Sequence, residues 1–169
     1  SGHDFTGAQV LLQGINGVPG SAQSPISLTD ANLLIDQGAE FVLPLGSTAK
    51  IHVGISDTDL AAVAPANSEA LVALLENLRS HQVDVIHIND VTLTGTDFKA
   101  IREWGAEHSD VSLALSDLSL LDVSGSDAIA FAQIGGISSI ALTLPTDISL
   151  PFATSYPRSE EHTSELQSR

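Results

Sequence analysis

Val83-Asp-Val-Ile86-His-Ile88, Asp110-Val-Ser-Leu113-Ala-Leu115 and Ile137-Ser-Ser-Ile140-Ala-Leu142 begin 27 residues apart. Each alternates apolar with small or polar residues, the period of two that marks a strand with one buried face. An earlier relative, Ile51-His-Val53-Gly-Ile55, lies at a longer interval and is followed by additional helix-like sequence. Strand-like segments at equal spacing are the signature of a chain built from repeats.

Between the strands a second pattern recurs: Ser27-Leu-Thr29-Asp30, Ser56-Asp-Thr58-Asp59, Thr94-Gly-Thr96-Asp97 and Ser124-Gly-Ser126-Asp127. Hydroxyl and carboxylate oxygens accept hydrogen bonds from the unpaired N–H groups of a helix's first turn, and a carboxylate there suits the helix dipole. An apolar-rich stretch follows each copy, so the four are expected helix starts. Leu71, Leu74, Leu75 and Leu78 fall on one helical face between Ser68 and Ser80, which predicts a helix there. Further helices are expected near 30–38, 96–106 and 126–134, with Gly38, Gly105 and Gly135 as left-handed C-terminal caps. The unit is strand, short apolar edge, cap, helix, glycine, strand. Strands separated by helices pair in parallel through right-handed crossovers. The expected fold is therefore α/β, either a repeat-like solenoid or an open parallel sheet with helices on one side. Residues 1–24 read as a partial leading unit and loop, 25–150 as the repeat region and 151–157 as a linker.

Residues 158–169 stand apart. The run Arg158-Ser-Glu-Glu-His162-Thr-Ser-Glu-Leu-Gln-Ser168 resembles the translation of a sequencing-library adapter, and is set aside as an artefactual tail. The Ser-Gly start and the lack of methionine lead to the expectation that the native protein continues at both ends.

The tail holds two of the six basic and three of the 21 acidic residues, so residues 1–157 carry four basic side chains against eighteen acidic ones. Nucleic-acid binding needs clustered Lys and Arg, so that partner class is excluded. Binding to an anionic membrane surface is disfavoured for the same reason. With 43% apolar residues, the chain is too hydrophobic for a disordered acidic segment and long enough to bury a sizeable core. The lack of cysteine excludes disulfides and thiolate chemistry, and no apolar run reaches the ~20 residues of a membrane span.

The stretch Ile55-Ser-Asp57-Thr58-Asp-Leu60, the helix after it and the strand Val83–Ile88 resemble degenerate repeats of large secreted bacterial proteins of hemolysin-type and adhesin-like character. The resemblance covers residues 25–144. It implies a structural or spacer segment of a secreted or cell-surface protein, without catalysis of its own, whose partners are neighbouring repeats of the same chain. The chain departs from that group in lacking the glycine-rich Gly-Gly-x-Gly-x-Asp run, so calcium binding does not carry over. Leucine-rich repeats are a second architectural analogue. Val83, Ile86, Ile88, Val91 and Leu93 have their apolar spacing, and Leu113, Leu115, Leu118 and Leu120 repeat part of it.

Two alternatives remain open: a calcium- or carbohydrate-binding module, and a fragment of an α/β enzyme. Calcium takes six to eight oxygen ligands, and Asp57 with Asp59, or Asp122 with Asp127, are the candidate donors. The competing reading is that these aspartates cap helices and turns. His3, His52, His81, His87 and His108 lack the short spacings of zinc motifs, and His87 is expected on the strand face opposite Ile86 and Ile88. There is no Gly-x-Ser-x-Gly elbow, and Gly14, Gly17 and Gly20 are wrongly spaced for a dinucleotide loop. An enzyme would bring Asn89-Asp90, Ser116-Asp117 and Thr143 together at the carboxyl ends of the strands. Trp104 shares a helical face with Ala100 and Ile101 and is expected in the core.

Overall fold

The computed structural model describes residues 9–11, 22–42, 46, 48–63 and 68–144. The expected 151–157 linker and the 158–169 tail lie outside these residues, as does most of the expected leading unit and loop, 1–24. In chain order the elements are β1 (Gln9–Leu11), β2 (Ile26–Ser27), α1 (Leu28–Asp36), β3 (Glu40–Val42), β4 (His52–Ile55), α2 (Asp57–Val63) and α3 (Ser68–Ser80). They continue with β5 (Val85–Asn89), β6 (Thr92–Thr94), α4 (Gly95–Glu107), β7 (Ser112–Ser116), β8 (Leu118–Val123), α5 (Gly125–Phe131) and β9 (Ile137–Leu142). The class is α/β with every strand pairing parallel: a four-stranded sheet ordered β2-β4-β5-β7, a three-stranded sheet ordered β6-β8-β9, and the pair β1-β3.

Register shows a regular step. Val85 lies opposite Ser112 and Thr92 opposite Ser119, so both sheets step by 27 residues between the same two coils. Ile26 opposite Val53 gives the same step two strands earlier in the larger sheet. From β4 to β5 the step is 33, His52 to Val85, because two helices, α2 and α3, intervene.

What the sequence shows as a short apolar edge is a strand of a second sheet. β5 turns into β6 at Asp90, and β7 into β8 at Asp117. Both aspartates are left-handed, with φ of 57° and 53°. Asp tolerates this region better than most L-residues because its short side chain can bond locally. The corners stack as well: the Asp90 N–H donates to Ser116 O at 3.0 Å, and the Ser119 N–H to Val91 O at 3.0 Å. The units β5-β6-α4 and β7-β8-α5 thus each present a strand to one sheet, a strand to the other, and a helix.

All four Ser/Thr-x-Ser/Thr-Asp copies start helices. The N–H groups of Asp30, Asp59, Asp97 and Asp127 donate to Ser27, Ser56, Thr94 and Ser124 side chains at 3.1–3.2 Å. Ser56 adds a reciprocal bond, its N–H meeting Asp59 Oδ2 at 2.8 Å. The expected helix at 68–80 is α3, with Leu71, Leu74, Leu75 and Leu78 buried. The glycine caps fare unevenly. Gly38 is left-handed after α1, with φ of 82°. Gly105 instead lies inside α4, where a Cβ would come within 2.8 Å of Leu113; it lets the helix close onto β7. After α5 the left-handed residue is Gly136, not Gly135.

One core runs through the stack. Val53 and Ile55, then Ile86 and Ile88, face inward from the larger sheet, while Leu93, Leu118, Leu120 and Val123 do so from the smaller. Phe98, Ile101 and Trp104 of α4 close it from the helix side. The positions shared with leucine-rich repeats, Val83, Ile86, Ile88, Val91 and Leu93, are all buried. Trp104 is in the core as expected, its indole N–H reaching Glu76 at 3.2 Å. Glu76 and Asp110 both bond Arg79, tying α3 to the loop after α4.

The third 27-residue copy breaks the register. Ile137–Leu142 forms β9 beside β8, with Ile137 opposite Leu118, rather than beside β7. Helix α5 has 7 residues against 13 in α4, so it is about 9 Å shorter at 1.5 Å per residue. The returning chain then passes through Gly136, whose φ is 89° and where a Cβ would lie 2.4 Å from Leu115 O. The Leu118 N–H donates to Gly136 O at 2.9 Å, starting β9 on the smaller sheet.

Candidate functional site

The inward apolar residues of the larger sheet force the alternate residues outward. That outer face carries His52 and Gly54 from β4, His87 and Asn89 from β5, and Ala114 and Ser116 from β7. Gly54 stands opposite His87 in the register and brings no side chain. The result is a groove of about 520 Å³ over the carboxyl ends of β2, β4, β5 and β7. Ser27, Ser56, Asp59, His87, Asn89 and Ser116 supply its polar lining, and Pro25 and Ile55 part of its apolar lining.

At its edge, His87 of the lining meets His52 outside it: His52 Nδ1 and His87 Nε2 are 2.7 Å apart, so one ring donates and the other accepts. The ring centroids are 5.0 Å apart and the planes tilt by 34°. Partial burial, the neighbouring His87 and Lys50 hold the His52 pKa below its ordinary value, against a smaller opposing pull from Asp84. Burial alone lowers that of His87. The expected placement of His87 opposite Ile86 and Ile88 holds: it is half-buried while both isoleucines are fully buried.

Of the residues expected together in an enzyme, two meet and one does not. Asn89 and Ser116 meet across the strand ends, the Ser116 hydroxyl donating to Asn89 Oδ1 at 2.6 Å. Thr143 lies elsewhere, bonded to Asp122 Oδ1 at 2.9 Å. The Ser56 hydroxyl donates to Asp59 at 2.9 Å. Both serine hydroxyls therefore give their protons to Asn or Asp rather than to an imidazole positioned as a general base.

The four candidate calcium donors are spread through the fold. Asp57 Oδ1 accepts from the Thr92 N–H at 3.0 Å, linking one coil to the next. Asp59 closes the reciprocal cap with Ser56. Asp122 is left-handed, with φ of 53°, and holds Thr143. Asp127 stands in the first turn of α5, 3.7 Å from Lys99. Among the described residues, no three His, Asp or Glu side chains converge in a metal-binding group. No helix among them is long and apolar enough to cross a membrane.

The His52–His87 pair escapes sequence reading because its partners are 35 positions apart and the intervening step is the irregular one of 33. The legible signal is that both imidazoles sit at outward strand positions. Comparison with protein-family models, curated proteins and solved structures returned no match.

Proposed function

We propose that residues 25–144 are a structural repeat module: a short solenoid of stacked α/β coils that acts as a spacer in a larger secreted or cell-surface bacterial protein. It performs no catalysis of its own. The observation that carries this reading is the shared 27-residue step in both sheets, over which each coil buries its apolar residues against the next. Such units gain most of their core from neighbours, and their stability is a sum of coil and interface contributions. The use of aspartates supports it too, since the four motif copies serve as caps. At the far end Ile129, Leu142 and Leu144 are 70%, 55% and 65% exposed, an apolar surface suited to covering by a further coil.

The acidic, cysteine-free composition and the resemblance to adhesin-like repeats support the extracellular setting. A binding module is the second reading, favoured by the polar groove beside His87. A thermal melt of residues 1–157 with and without millimolar calcium separates the two. A ligand at 100 times its dissociation constant adds about 2.7 kcal/mol to a native state that alone binds it. The spacer melts cooperatively and indifferently to calcium. A rise of several degrees with calcium but not magnesium would instead make this a calcium-binding module.

A further inference from the structure

We propose that His52 and His87 form a binding site for a divalent late transition-metal ion of tetragonal preference, copper(II) or nickel(II). Imidazole nitrogen is a favoured donor for these ions. Here two such nitrogens, from adjacent strands of one sheet, point at each other across 2.7 Å. Two cis ligands at about 2.05 Å from a square-planar ion stand roughly 2.9 Å apart, whereas tetrahedral angles require roughly 3.3 Å. The observed separation is near the first value, but with the centroids 5.0 Å apart the two nitrogens face each other along that line, so each ring turns by roughly 45° to bring its lone pair onto the ion. Tetrahedral zinc asks for a wider opening.

The strands fix the backbones of the two histidines, because Val53, Ile86 and Ile88 beside them are fully buried, so only the rings have to turn. Binding needs both imidazoles neutral, with the donor ring moving its proton to its other nitrogen, so no proton is released overall. The groove beside His87 has room for the waters that would complete the coordination, and Gly54 leaves that space open. Asp84, fixed by the Ile51 N–H at 2.8 Å, places a negative charge near His52, opposed by Lys50. The formal net charge of −15 raises the local concentration of cations.

The test is calorimetric titration of the full chain with copper(II) chloride in a non-chelating buffer near pH 7.5, with electron paramagnetic resonance of the loaded sample. The parent for all variants carries His3→Ala, so that ions held by the amino-terminal segment are not counted. The expected result is one ion per chain with nitrogen hyperfine structure from two imidazoles. His52→Ala and His87→Ala should each weaken binding at least about tenfold. His87→Gln, which keeps a hydrogen-bonding side chain on the strand, should do the same, while His81→Ala should change nothing. Circular dichroism verifies that each variant is folded. Undiminished binding in His87→Gln, or no ion bound more tightly than about 1 mM by the parent, overturns the proposal.

Discussion

Phe98→Ala tests the packing between coils most sharply. Phe98 is fully buried in α4, and its ring meets Phe131 of α5 edge-on, with centroids 4.9 Å apart and planes at 84°. Removing a buried phenylalanine side chain costs about 3–5 kcal/mol in lost transfer energy and cavity formation. The edge-to-face pair contributes about 0.5–1.5 kcal/mol beyond area burial. Against a total stability of about 5–15 kcal/mol for a domain, that loss is a large share. Urea denaturation followed by circular dichroism gives the difference from the midpoint and slope. A double-mutant cycle with Phe131→Ala isolates the contact, with an expected coupling of about 0.5–1.5 kcal/mol. Leu33→Ala, at a side chain 53% exposed, is the control and should lie within about 0.5 kcal/mol of the parent. A Phe98→Ala loss below about 1 kcal/mol, or no coupling to Phe131, would refute the stacking of α4 on α5 through these rings.

Other expectations follow from caps, backbone and charge. Thr94→Ala and Ser124→Ala each remove an N-terminal cap and should cost about 1 kcal/mol by urea titration, with Thr94→Ser nearly neutral. Gln82 is left-handed after α3, with φ of 72°; Gln82→Gly should raise the urea midpoint, and a lower midpoint would count against that strain. The lowered pKa values of His52 and His87 mean that the unfolded chain binds more protons than the folded one as pH falls below about 6.5. Their contribution is full above that pH and lost as pH drops toward the folded values, so stability measured in EDTA should decline from pH 7 toward 5. His87→Gln should flatten that decline. Glu76 and Asp110 titrate below their ordinary values. Stabilisation from their bonds to Trp104 and Arg79 should therefore be lost only at lower pH, below the ordinary carboxylate range.

Local chemistry made much of the fold legible. The hydroxyl–aspartate copies mark helix starts because the first turn needs those acceptors, and all four serve that role. The alternation in Val83–Ile88 and Asp110–Leu115 also places β5 and β7 in register. The second sheet was hidden because a three-residue strand such as Thr92–Thr94 is too short to display a period, and Asp90 and Asp117 read as ordinary polar loop residues. The displacement of β9 depends on the length of α5 and on the approach of Gly136 to Leu115, neither of which periodicity records. The His52–His87 pair required the register between β4 and β5. The four candidate aspartate ligands were visible as residue types, but the partners of Asp57 and Asp122, Thr92 and Thr143, lie 35 and 21 positions away.

The central claim is that the coils are interchangeable stacked units, and duplicating one tests it directly. Inserting a second copy of residues 85–111 before Ser112 adds one full 27-residue step to both sheets. Stacked coils predict a cooperative urea transition with a midpoint at or above that of the parent and a steeper slope, since more surface is exposed on unfolding. An insertion that abolishes cooperative unfolding, or that lowers the midpoint as an unstructured loop would, contradicts the claim.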